Sequence, residues 1–282
     1  MEKIIVLLSG GLDSRLCLKI MQEKYEVVAV HFKLPFGTGC CNHNCSFNFS
    51  QLSGVKLEIF DCTKGKLLQE YLNVVRHPKY GYGTSMNPCI DCRIFMFKKA
   101  KEYADKNNIQ FIATGEVLDE RPMSQTKKAM NIIDNESGLN GRILRPLCEM
   151  GFHGRTRKKQ IELAEKYQIS YPNPGGGCLL CEKSLKKRLK FLLHRDLNEK
   201  EVSIIGIGRH FFIDNCWIIL GRNEEENNIL ETFENVFIPE DLGPSALIIG
   251  ERGRLIDNKI YELIRAYSKK GAERGKFEIY RL

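Results

Sequence analysis

The chain opens on a continuous apolar run, Ile4-Ile5-Val6-Leu7-Leu8, of strand length, and passes directly into the glycine turn Ser9-Gly10-Gly11-Leu12-Asp13-Ser14. Leu16, Leu18, Ile20 and Met21 follow in an amphipathic stretch that predicts a helix. Residues 26–32 (EVVAVHF) form a second apolar run, and residues 55–60 a third with alternation. Helical patterns cover 66–75 and 92–106, and 110–114 predicts another short strand. Strands alternating with helices predict parallel β-α-β units and a doubly wound parallel sheet. A ligand site is then expected at the carboxyl ends of the strands.

Residues 151–168 predict a basic turn opening a helix, and Tyr171-Pro172-Asn173-Pro174-Gly175-Gly176-Gly177 is the strongest breaker run in the chain. A basic helix is predicted over 184–195. Beyond it the texture changes to short strands at 203–208, 216–220 and 246–250, with a helix at 259–269. This predicts a domain at 1–182, a basic linker helix at 183–196 and a small C-terminal α+β domain at 197–282. No internal repeat is visible.

Composition narrows the class. The 282 residues are 43% apolar and 28% charged, the balance of a globular protein. No run approaches the ~20 apolar residues of a membrane span, so no membrane partner is expected. The strand-like start without a signal-peptide pattern leads to a cytoplasmic expectation, where thiols stay reduced. Eleven cysteines there need another reason: metal, cluster, catalysis or core filling. The formal charge of +8 is a mild pull towards polyanions.

A strand, SGGLDS and a helix together suit an anion. Adjacent glycines let the backbone approach a phosphate, and the helix N-terminus adds donors and positive partial charge. Ser9 and Ser14 can donate hydroxyl hydrogen bonds. The loop lacks the GxxxxGK[ST] lysine and is not GxGxxG, which argues against a Walker A loop and a dinucleotide site.

Cys89-Ile90-Asp91-Cys92 opens a basic helix. Two thiols three apart at a helix start share a face and are expected to have depressed pKa values. Cys178-Leu179-Leu180-Cys181, on the glycine-rich loop, is a second CxxC. Two such pairs allow a four-cysteine zinc site, although ~85 residues separate them, or a [4Fe-4S] cluster held by three thiolates. Cys17, Cys62, Cys148 and Cys216 sit in apolar contexts and are expected to fill core. Cys40, Cys41, His43 and Cys45 have a metal-like spacing on a polar segment.

SGGLDS resembles the pyrophosphate-binding loop of the PP-loop ATP pyrophosphatases, the adenine nucleotide alpha-hydrolase-like fold. The resemblance implies ATP and Mg2+, with Ser9, Gly10, Gly11, Asp13 and Ser14 at the pyrophosphate and His31 and Phe32 beside the adenine. NPCIDCRIFMFKKA (87–100) resembles the catalytic segment of tRNA 2-thiouridylases, while ATGEVLDERPMSQ (113–125) and ILRPL (143–147) resemble segments of tRNA 4-thiouridine synthases. PNPGGGCLL resembles the third-cysteine loop of their cluster-dependent relatives. The likeness spans about residues 1–195, its motifs occurring jointly and in order as a domain's do. Residues 208–230 resemble a small RNA-associated domain of ribosome-quality-control proteins.

What the resemblance implies is an ATP-dependent tRNA sulfurtransferase that adenylates a uridine carbonyl and replaces its oxygen with sulfur. Cys89, Cys92 and Cys178 are then catalytic and the ligands of a [4Fe-4S] cluster, with Cys181 as an alternative third ligand. The competing route uses a persulfide on Cys89 or Cys178. Gly115 and Glu116 are expected at the ribose or Mg2+, and Arg145, Arg121 and Lys98 at phosphate charge. Partners are tRNA and a sulfur donor, sulfide or a persulfide carrier; a homodimer is left open, as is uridine position 2 or 4. Basic stretches at 155–159 and 183–195 suit tRNA phosphates. Two rival readings use the same chain: a PP-loop enzyme adenylating another carbonyl for amide or amidine synthesis, and a non-catalytic zinc-stabilised RNA-binding protein.

Overall fold

In a computed structural model, residues 1–37, 43–173, 177–240, 243–251, 254–268 and 273–282 are described. The chain divides into two units, Met1–Lys186 and Lys187–Leu282, the division falling inside the stretch read as a linker.

The apolar runs of the first unit become five parallel strands: β1 (Lys3–Leu7), β2 (Glu26–Lys33), β3 (Lys56–Asp61), β4 (Phe111–Thr114) and β5 (Ile143–Leu144), in the order β3-β2-β1-β4-β5. Its helices are α1 (Leu12–Gln22), α2 (His43–Leu52), α3 (Gly65–Arg76), α4 (Cys89–Lys106), α5 (Lys127–Ser137), α6 (Pro146–Glu149) and α7 (Lys158–Lys166). Two apolar clusters cover the sheet. Ile4, Val6, Val27 and Ala29 pack with Leu12, Leu16 and Leu18, while Ile5, Val28 and Ile112 pack with Phe97, Ala100 and Ile133. β1 is central and its neighbours lead off in opposite directions, so its carboxyl end is the topological switch point where doubly wound sheets bind ligands. The doubly wound parallel sheet expected from the alternating pattern is present.

Two longer helices of this unit escaped the periodicity, beside the short α6. α2 turns Ser46, Phe49 and Ser50 inward, so its buried face at i, i+3 and i+4 is largely hydroxyl rather than hydrocarbon. α5 is bounded by Thr126, whose side chain accepts from Ala129 N, and by Gly138 at φ +68°. Both are helix-end signals that a search for apolar runs passes over.

The second unit contains α8 (Lys186–Leu193, its first residue closing the first unit), α9 (Glu199–Ser203), β6 (Arg209–Ile213), β7 (Cys216–Leu220), α10 (Glu224–Leu230), β8 (Val236–Phe237), β9 (Ala246–Ile249) and α11 (Arg254–Tyr267). Its antiparallel sheet runs β6-β7-β9-β8. The expected strand at 203–208 is instead the end of α9 and a turn. Gly208, at φ +72°, sits so close to Leu220 that a Cβ would lie 2.6 Å from its carbonyl oxygen. The strand starts one residue later and was hidden by its polar opening, Arg209-His210. His210 is buried and accepts from Trp217 Nε1 at 2.9 Å, and burial pulls its pKa well below the ordinary imidazole value.

Charge divides unevenly between the units. Residues 1–186 carry 27 Lys and Arg against 19 Asp and Glu; residues 187–282 carry 16 of each. The whole excess of +8 therefore belongs to the first unit.

Candidate active site

The loop after β1 is held from three sides. Gly10 takes φ +89°, and a Cβ there would meet Ser46 Oγ at 3.0 Å and Cys45 Cβ at 3.2 Å, so α2 closes one wall. Thr114 pairs with Leu7, which brings Gly115 against the first turn of α1. A Cβ on Gly115 would lie 2.3 Å from Asp13 O and 2.7 Å from Ser14 N, a distance only glycine permits. Arg15 fixes the third side: its Nε donates to Gly10 O at 2.7 Å and its Nη1 to Ser170 O at 2.5 Å, with the guanidinium over Phe49. Ser9 Oγ donates to Ser14 Oγ, which donates to Gly11 O. No side chain caps α1, so the N–H groups of its first turn face the loop's mouth as an anion site requires.

Asp13 Oδ1 is buried without a hydrogen-bond partner, and Arg157 approaches Oδ2 at 4.0 Å. Burial first, then Glu120, raises the Asp13 pKa from 3.8 to about 6; Arg157 and Arg121 oppose the shift. The folded state thus holds this proton to higher pH than the unfolded chain. The contribution favours folding below the unfolded pKa and is lost as pH rises through about 6. Asp13→Asn removes it: urea midpoints at pH 5 and pH 8 are expected to show the variant gaining on the parent as pH rises, and an equal gap at both pH values refutes the shift.

Of the other expected nucleotide residues, His31 is buried and its Nδ1 lies 2.8 Å from Leu8 O and 3.0 Å from Ser46 Oγ, while Phe32 stacks on Phe60. Glu116 is 1% exposed. Arg145 joins it to Asp134, with Nε at 2.9 Å from Glu116 Oε2 and both terminal nitrogens on Asp134, and Arg93 stands 3.7 Å from Glu116 Oε1. The carboxylates push the Arg145 pKa upward against the desolvation that lowers it. Arg145 therefore locks the base of the site. Lys98 is an exposed side chain on α4.

The cysteines of the two CxxC segments meet. Cys178 bridges to Gly37 by backbone and Leu179 N donates to Phe36 O, which seats the CLLC turn on the segment following β2. Met86 N donates to Leu180 O, and Ser85 Oγ to Glu182 O, which ties it to the approach to α4. Cys89 lies close enough to Cys181 to raise its pKa, and Asn87 Nδ2 donates to Cys89 Sγ at 3.2 Å. Tyr71, fully buried, places its hydroxyl 3.4 Å from Cys92 Sγ. The depressed thiol pKa expected of a helix start is not found for Cys92. Burial pushes Cys92 up to about 11, although Tyr71 and Arg93 pull the other way, and Cys178 up to about 12. Burial also raises Cys181, with Cys89 adding to the shift and Arg121 opposing it. Arg121 exerts a lowering influence on both Asp13 and Cys181.

A [4Fe-4S] ligand set needs three thiols around one cluster. Among the described residues no three Cys, His, Asp or Glu side chains are grouped to hold a single metal ion. Cys40, Cys41 and the glycines at 175 and 176 lie outside the described residues, as does the side chain of His43; Cys45 stands beside Gly10. Cys17, Cys62 and Cys216 are buried, as core filling predicts, and Cys148 is half-buried. Ser46, Tyr71 and Asn87, which touch the loop and the thiols, carried no signal in the apolar pattern; Asn87 alone was visible, as a neighbour in NPC.

A protein from Picrophilus torridus called argininosuccinate synthase is 26% identical over 179 residues, 62% of this chain and 42% of its own length. A tRNA-specific 2-thiouridylase MnmA from a Nitratiruptor species is 30% identical over 122 residues, 40% of the chain and 34% of that protein. A probable tRNA sulfurtransferase from Saccharolobus islandicus is 28% identical over 211 residues, 71% of the chain and 49% of that protein. The chain thus spans less than half the length of each of these relatives. Residues 1–190, which contain the phosphate loop and all four neighbouring thiols, match the family described as thiamine biosynthesis protein (ThiI), and on that match the chain belongs to the ThiI family.

Proposed function

We infer that the chain is an ATP-dependent tRNA sulfurtransferase. The observation that carries this reading is the pairing, within one unit, of a switch-point phosphate loop with a group of four thiols, Arg121 acting on both. The loop and the N-terminus of α1 suit the phosphates of ATP. Asp13, with its buried unpartnered oxygen, is the residue suited to Mg2+, which supplies charge neutralisation to the phosphates when bound. Exposed Arg155, Lys158 and Lys159, in the unit that carries the excess charge, suit tRNA backbone contacts.

In the chemistry proposed, a uridine carbonyl oxygen attacks the α-phosphorus of ATP and pyrophosphate leaves. The adenylated oxygen is then a good leaving group. The proximity of Cys89 to Cys181 suits a persulfide route. The exposed Cys181 accepts the outer sulfur of a persulfide carrier, and that sulfur attacks the activated carbon, expelling AMP with the original oxygen. Cys89 attacks the Cys181 sulfur, breaking the bond to the transferred sulfur, which stays on the base. An external dithiol reduces the Cys89–Cys181 disulfide before the next turnover.

Incubation with a tRNA transcript, ATP, Mg2+ and a persulfide donor is expected to give thiolated nucleoside, detected by mass spectrometry, with AMP and pyrophosphate formed only when tRNA is present. AMP formation driven by small carboxylates without tRNA would move the protein to the rival adenylating class. Iron and sulfide assays on anaerobically purified protein separate the sulfur routes. Activity that tracks bound iron overturns the persulfide step and leaves tRNA thiolation standing.

A further inference from the structure

The second unit lies beyond the family match apart from its first four residues, and its charge sums to zero. Five of its nine arginines are nonetheless gathered at one place. Arg188, on α8, is 7% exposed; its Nη1 donates to Ile205 O at 3.0 Å, its Nη2 to Gly208 O at 3.3 Å, and its Nε is buried without a hydrogen-bond partner. Arg222 reaches Gly206 O of the same turn at 3.4 Å, and Arg209 reaches Gly221 O at 3.2 Å. Gly208 packs against Leu220, so those anchoring carbonyls are neighbours. The C-terminal residues join them: Arg281 bridges to Phe211, and Leu282 N donates to His210 O at 3.0 Å. Arg209 and Arg274 both lie over the Tyr267 ring, at 5.4 and 5.3 Å.

Carboxylates compensate this group only in part. Glu226 binds Arg222, and Glu278 lies 3.0 Å from Arg281 while accepting from Tyr267. Arg188 has Glu226 as its acting carboxylate, and that group is already held by Arg222. Desolvation, with Arg222 and Arg281 adding to it, lowers Arg188 to about 10, and Arg209 is lowered by burial and by Arg274. A buried cation next to others is unfavourable unless something anionic completes the set. Guanidinium groups pair bidentately with phosphate, and an arginine–tyrosine stack suits an unpaired nucleotide.

We propose that Arg188, Arg209, Arg222 and Arg281 form a binding site for the phosphate backbone of RNA in the second unit. Its identification with the tRNA substrate rests on the sulfurtransferase reading above. Arg188 forms the buried floor, and the more exposed ends of Arg209, Arg222 and Arg281 meet the phosphates.

Anisotropy titrations of the full chain with labelled tRNA transcript, from about 50 to 400 mM NaCl, test it. The Arg209→Gln/Arg281→Gln pair is expected to weaken binding about tenfold near physiological salt and to lower the salt slope by about 2. Lys200→Gln/Lys259→Gln, an equal charge change elsewhere on the unit, should stay within about twofold. The unaltered protein gives a second readout: tRNA should protect Arg209 and Arg281 from phenylglyoxal, read by peptide mass spectrometry. The site is overturned if the glutamine pair binds like the parent, if the lysine pair loses as much, or if neither arginine is protected. A parent that thiolates tRNA while any of these holds loses only the arginine site; a parent that does not bind tRNA at all loses both readings.

Discussion

Cys89→Ser is expected to abolish tRNA thiolation, by on the order of 10³-fold or more, while tRNA-dependent release of pyrophosphate stays within a few fold of the parent. In the function proposed above, the two half-reactions use different parts of the unit: adenylation draws on the loop after β1, Asp13 and the first turn of α1, and sulfur transfer on the thiols near Asn87 and the CLLC turn. Serine keeps the size and hydrogen-bonding capacity of the side chain and removes the sulfur. Product analysis by nucleoside mass spectrometry beside a pyrophosphate assay separates the outcomes. Equal loss of both half-reactions would place Cys89 in the architecture of the ATP site, and full retention of thiolation would remove it from the mechanism.

Arg145→Met is expected to lower folding stability by about 3–5 kcal/mol, the cost of leaving a buried carboxylate without its partner. Arg145 makes three hydrogen bonds to Glu116 and Asp134, and Glu116 is almost wholly excluded from water. Arg93 at 3.7 Å is too far to replace the lost hydrogen bond. Urea denaturation measures the loss, and Glu116→Gln added to Arg145→Met should recover part of it, since the two changes share one contact. Additive losses in that cycle would show that Arg145 acts through its packing alone.

Much of this site is legible in the amino-acid order, and the reason is local. A strand, two glycines and a helix start lie within a dozen residues, so the SGGLDS loop and its place at a switch point follow from neighbours in sequence. The joining of the two CxxC segments also had a sequence cue, two thiol pairs beside breaker residues. What held them together did not: the contact of Phe36 with the CLLC turn and of Tyr71 with Cys92 arises from the sheet's crossovers. The role of Arg145 inverted for a similar reason. Its residue type suggests phosphate, yet burial beside Glu116 and Asp134 makes it a fixed counter-ion. The thiol pKa values went the other way from the helix-start rule because desolvation outweighs the dipole at Cys92.

Arg15 carries a consequence for how the molecule comes into being. Through one guanidinium it binds Gly10 and also Ser170, which lies 155 residues beyond Arg15 itself. At synthesis rates of ~5–20 residues per second, about 8–30 s separate the emergence of the two ends of that link. The SGGLDS loop is therefore made well before the segment that braces it. A nascent chain stalled before Ser170 would carry the SGGLDS loop without its outer support.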